Sequence, residues 1–175
     1  MGSSGTPHRP ETHAPPGATM HPGAGVRRDG RGRQETSMLA QGTYDADYIA
    51  DSRGQVEADI AAFDNARADA DSDDHALDDL ELSYFAALVL ALEMRFVHRK
   101  RGREGTDGNA LNEVRLLARS LMTNGGRLLE DPAITLDPAR SVLGLRPGDD
   151  IVVRYEDFVR LSRAFFDELE ARYLD

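Results

Sequence analysis

Cysteine is absent from the chain. Disulfides, thiolate catalysis and cysteine-ligated zinc are therefore excluded, and the absence fits a reducing cytosol. Lysine is nearly absent as well: of 21 basic residues, only Lys100 is not an arginine. Aspartate and alanine are abundant, so this bias reads as the codon usage of a GC-rich genome and the arginine count carries no functional weight. Long hydrophobic runs are missing too. The longest, Tyr84 to Leu92, has nine residues, whereas a membrane span needs about 20. No apolar stretch near the start reads as a secretory signal. No complete catalytic, metal or nucleotide motif occurs anywhere. The expectation is a cytoplasmic, bacterial protein with no membrane span, no metal and no cofactor.

Charge is unevenly distributed. The net charge is −10, and residues 41–82 alone carry thirteen acids against two arginines. Residues 83–175 are nearly balanced, with fifteen acids against fourteen bases. An acidic chain repels phosphates, which disfavours nucleic acid and anionic lipid as partners.

Residues 1–42 hold half of all the glycines and five of the eight prolines, without one aromatic residue. Such a segment buries too little apolar surface to offset its ordering entropy, so it reads as a disordered tail. His8, His13 and His21 lie in it at spacings that match no metal motif. Met38 opens a stretch that reads like a normal protein start. Residues 43–175 are expected to form a single, mostly helical domain.

Within that domain, Ile49, Val56, Ile60 and Phe63 form one helical stripe over residues 45–70. The acidic run 68–79 lacks the central glycine of a calcium loop and reads as a solvated connection. Residues 77–100 predict the strongest helix, apolar on every side around Tyr84–Phe96 and hence central, ending at Gly102. Arg99, Lys100 and Arg101 would then complement its dipole. Residues 109–124 predict a helix capped by Asn109 or Asp107, with Leu111, Val114, Leu117, Ala118, Leu121 and Met122 on its apolar face. Residues 141–153 read as a β-hairpin around Pro147-Gly148. Residues 155–173 predict the last helix, with a stripe of Phe158, Leu161, Phe165 and Leu169. The fold class is mainly α (α+β): a compact three- to four-helix domain around a buried central helix, with one small β-hairpin before the C-terminal helix.

Residues 98–115, "HRKRGREGTDGNALNEVR", concentrate the chemistry. Glu93 shares a stripe with apolar residues, so its carboxylate must be paired, hydrogen-bonded or protonated. Arg115 on the next helix is its expected partner. Arg95, His98 and Arg99, facing Asn109, Asn112 and Glu113, would form a polar pocket in which His98 supplies an acid-base group and the arginines bind an anion. Arg103 and the loop glycines would extend that site, with free amides at the start of the 109–124 helix. The bland alternatives are a core ion pair and a solvated helix end. The leading functional reading is a noncatalytic binding or regulatory protein with a protein partner or self-association. The alternative is a small enzyme or sensor for an anionic metabolite, with Glu93 and His98 as catalytic candidates beside Asn112 and Arg115.

Overall fold

Alanine, leucine and charged residues dominate the long periodic segments, and four of these segments are helices in the computed structural model, which describes residues 40–69 and 75–175. The tail up to residue 39 and the acidic residues 70–74 lie outside the described residues. The helices are α1 (Ala46–Asp69), α2 (His75–Arg95), the single-turn α3 (Arg101–Glu104), α4 (Ala110–Thr123) and α5 (Tyr155–Tyr173). All described residues fall in one compact unit. None of these helices is long and apolar enough to cross a membrane.

The stripes pack as their spacing demands. Ile49, Val56 and Phe63 of α1 are buried, and Phe158, Leu161, Phe165 and Leu169 of α5 are sealed completely or nearly so. Phe85, Val89, Leu92 and Phe96 form the buried edge of α2 and its exit. The expectation that α2 is apolar and buried all round needs correcting. Ala87, Ala91 and Met94 are exposed, and α5 is the helix that packs against all four others. Alanine-rich sequence is compatible with either face, because alanine favours helix without demanding burial.

α2 also stops at Arg95, well before Gly102. The end coincides with a long-range pairing. The Gln41 N–H donates to the His98 carbonyl (2.7 Å) and the Lys100 N–H donates to the Gln41 carbonyl (2.8 Å). This parallel bridge holds residues 98–100 extended. The same N-terminal strap continues to Tyr44, whose N–H donates to the Tyr173 carbonyl at 2.8 Å. Residues 41 and 42, at the end of the expected tail, are thus tied to the helical body. The next turn, α3, begins only after this bridge.

No strand forms among the described residues, and the expected hairpin over 141–153 is replaced by a loop. Its turn does exist: the Asp149 N–H donates to the Arg146 carbonyl at 3.0 Å. However, the arm after the turn pairs with residues 126–128, through Leu128 N–H to the Asp149 carbonyl (2.9 Å) and Ile151 N–H to the Gly126 carbonyl (2.7 Å). The arm before the turn is held elsewhere, because the amides of Val142 and Leu143 donate to Glu113.

Candidate functional site

The residues expected to share one pocket occupy several separate places. The first is a buried ionic cluster beneath α2, α3 and α4. Because α2 ends early, the chain turns and directs Arg99 inward, where it is 1% exposed. Arg99 Nη1 lies 2.8 Å from Glu93 Oε2 and Nη2 lies 3.4 Å from Glu104 Oε1. It also donates to the carbonyls of Phe96 (3.1 Å) and Leu111 (3.0 Å). Arg99 is therefore a structural centre and not the solvated dipole partner expected from a longer helix.

Glu104, fully buried, is the hub of this cluster. Its Oε1 accepts from Arg115 Nε (3.0 Å) and Asn112 Nδ2 (3.0 Å), and its Oε2 accepts from Arg101 Nη1 (2.7 Å). Burial pushes the Glu104 carboxyl upward, but Arg99, Arg101, Asn112 and Arg115 outweigh it and hold the group below its ordinary value. Glu93 behaves oppositely. Burial raises its carboxyl, and Arg99 and Arg101 offset only part of that rise. The expected Glu93–Arg115 pair is thus replaced: Glu93 pairs with Arg99 and Arg101, and Arg115 pairs with Glu104. Sequence spacing missed Glu104 because it sits on a one-turn helix with no apolar periodicity. Its only signal was an acid directly following the basic run Arg99–Arg103.

The loop expected to cradle an anion is already occupied by the protein. Asn109 caps α4 by accepting from the N–H groups of Leu111 (3.0 Å) and Asn112 (3.2 Å). The Gly108 N–H donates to Asn112 Oδ1 at 3.1 Å. Gly108 has φ +74°, and a Cβ there would lie 2.5 Å from the Thr135 carbonyl oxygen. The close approach of residues 135–136 explains this glycine without a ligand. Arg103 is exposed and donates to the Gly42 carbonyl. Glu113 turns away from the cluster and accepts from Val142 (2.7 Å) and Leu143 (2.9 Å). Its carboxyl is raised by burial, against the pull of those two amides.

Arg95 and His98 form a separate surface pocket with Gln41, Thr43, Asp45 and Tyr48, about 330 Å³ in volume. His98 is exposed there. The proposed acid-base group is therefore not gathered with Glu93, Asn112 and Arg115. Among the described residues no three acidic or histidine side chains come together as a metal site.

A third feature lies over the ionic cluster. A groove of about 340 Å³ runs between α2 and α4, lined by Leu90, Met94, Val97, Ala118 and Met122, with Glu93 among its lining residues. Met94 is 64% exposed and Met122 is 62% exposed. Met122 was expected on the core face of α4 and instead flanks this groove. The charges most open to water along it are arginines: Arg101 and Arg119 are about half exposed, whereas Glu93 and Asp131 are largely covered. Compared with known families, curated proteins and solved structures, the chain matches no family model, no curated protein and no solved structure.

Proposed function

We propose that the protein is a noncatalytic binding protein, a cytosolic bacterial accessory or regulatory factor, which receives a helix of a protein partner in the groove between α2 and α4. The observation that carries this reading is the pair of exposed methionines, Met94 and Met122, flanking an apolar channel. Methionine adapts its shape and is favoured on surfaces that accept apolar helices. Fully burying such a side chain contributes about 1.5–3 kcal/mol, so two of them supply a useful share of a binding energy. The ionic cluster supports the same reading. Its two carboxylates and three guanidiniums are committed to one another, so it serves as a rigid floor for the groove. The alternative, catalysis at Glu93, His98, Asn112 and Arg115, loses support because Asn112 is sealed and saturated while His98 faces a different pocket.

A photocrosslinking residue placed at Met94 in the full chain tests the proposal in the producing cell. The expected result is a discrete protein adduct that disappears when Met122→Glu is added. The same adduct from a crosslinker at Val152, which is exposed but not part of the groove, would overturn it, as would the absence of any adduct at Met94.

A further inference from the structure

Arg95 is the unusual arginine of this molecule. Most of the arginines among the described residues have a carboxylate within salt-bridge distance, and those without one are Arg95, Arg103, Arg140, Arg146 and Arg163. The last four are exposed; Arg95 alone is half-buried. Its Nε, like that of Arg99, is shielded from solvent and has no hydrogen-bond partner. A buried guanidinium donor without an acceptor carries a desolvation cost that the fold does not offset. What separates the two is that Arg99 meets two carboxylates in the core, whereas Arg95 meets none and lines an open pocket, where an acceptor can come from outside the chain.

The surroundings define that acceptor. The pocket's volume of about 330 Å³ lies at the small end of the range for small-molecule sites. Its walls are held in place. Tyr48 donates its hydroxyl to the Arg95 carbonyl (2.8 Å), and Gln41 is locked by its two backbone bonds to residues 98 and 100. Tyr48 is 44% exposed, and its ring, stacked on Tyr44, adds apolar surface to the pocket lining. Gln41, Thr43 and His98 add polar side chains. Asp45 lies in the same lining, and its negative charge opposes a doubly charged ligand. A planar carboxylate matches the guanidinium fork, whereas a phosphate brings more charge than this site neutralises.

We infer that the pocket formed by Arg95, Tyr48, His98 and the Gln41–Thr43 strap binds a small monocarboxylate, whose carboxylate sits on Arg95 and whose apolar or aromatic body lies on Tyr48. This site is lined by none of the groove residues proposed above to receive a partner helix, except that both flank the end of α2, so each can fail without the other.

The test titrates benzoate, and separately inorganic phosphate, into the full labelled chain while following the amides of Thr43, Tyr48 and His98. Benzoate is expected to give saturable shifts at these residues, and phosphate to bind at least tenfold more weakly. Arg95→Lys, which keeps the charge but loses the fork, is expected to weaken benzoate tenfold or more. Arg140→Lys, at an exposed arginine outside the pocket, is expected to leave it unchanged. The inference is overturned by benzoate shifts that never saturate, by wild-type affinity in Arg95→Lys, or by phosphate binding as tightly as benzoate. If Arg95→Lys fails to fold, Tyr48→Ala at the exposed ring provides the decision: loss of benzoate binding supports the site, and retention at wild-type affinity refutes it.

Discussion

Arg95 and Arg99 stand four residues apart where α2 ends, yet they live in opposite electrostatic worlds. Arg99 is sealed, contacts two carboxylates and donates to two backbone carbonyls. Arg95 has no carboxylate partner among the described residues and lines an open pocket. Four residues is one helical turn, so a continuous helix would have placed both side chains on one face. The helix break between them rotates Arg99 into the core and leaves Arg95 at the pocket. Residue type is the same for both. The difference is made by Glu104 and Glu93, which the fold brings to one arginine and withholds from the other.

The contrast is sharpest in stability. Glu104→Ala should cost ~3–5 kcal/mol in a denaturant melt, since it leaves buried guanidinium charge without its partner. Arg99→Ala should cost a similar amount, by stranding Glu93 and Glu104. Near-neutral results for both would mean that water reaches the cluster and that the two arginines are not distinct.

Removing residues 1–42 should be the next largest effect. The loss includes the two backbone bonds of Gln41 and the Gly42 carbonyl that accepts from Arg103. At about 0.5–1.5 kcal/mol each, these three bonds predict a drop of ~1.5–4.5 kcal/mol relative to a chain beginning at Met38. The Met38 chain should melt like the full chain. Equal melting of the chain beginning at Thr43 would show that the strap follows the break in α2 and does not cause it.

A double-mutant cycle then tests the wiring. Glu104 and Arg115 should couple by ~0.5–3 kcal/mol, and Glu93 and Arg115 by less, because Arg115 bonds to Glu104 and not to Glu93. The reverse order would restore the pairing expected from sequence spacing.

The two carboxylates should also respond to pH with opposite signs. Glu104 is held below its ordinary value of 4.5. Its stabilisation is present above that value and is lost as pH falls through the lower folded value. Glu93 is raised above the same ordinary value. Its ionisation therefore withdraws stability as pH rises from 4.5 through the raised folded value. Thermal midpoints followed against pH should show Glu104→Gln flattening the acid side of the profile and Glu93→Gln flattening the side above it. Identical profiles for the two variants would contradict the environments described for them. The smallest effect belongs to Arg95: its truncation to alanine should change stability by only ~0–1 kcal/mol, as for a partly exposed arginine without a carboxylate partner.

The four long helices were legible because burial imposes a 3.6-residue period over many turns. α5 spans Tyr155–Tyr173, as its phenylalanine and leucine stripe requires, and α4 starts behind Asn109, as its capping residue requires. The single-turn α3 was not legible, because four residues carry no period. The hairpin around Pro147-Gly148 was misread for a related reason. Alternating apolar residues specify extended backbone but not the partner that takes its hydrogen bonds. Glu113 took the amides of Val142 and Leu143, and residues 126–128 took the other arm.

By itself the sequence determined local quantities: which segments are helical, which faces are apolar, where α4 is capped, and that Glu93 on an apolar stripe needs a partner. Only the tertiary structure decided that Arg99 and not Arg115 would meet Glu93, that Glu104 would anchor the cluster, and that His98 would face a different pocket. The physical reason is the range of the interactions. Helix propensity and periodicity act within about one turn of the chain. The end of α2 instead accompanies hydrogen bonds to Gln41, more than fifty residues earlier in the chain, and with it Arg99 turns into the core.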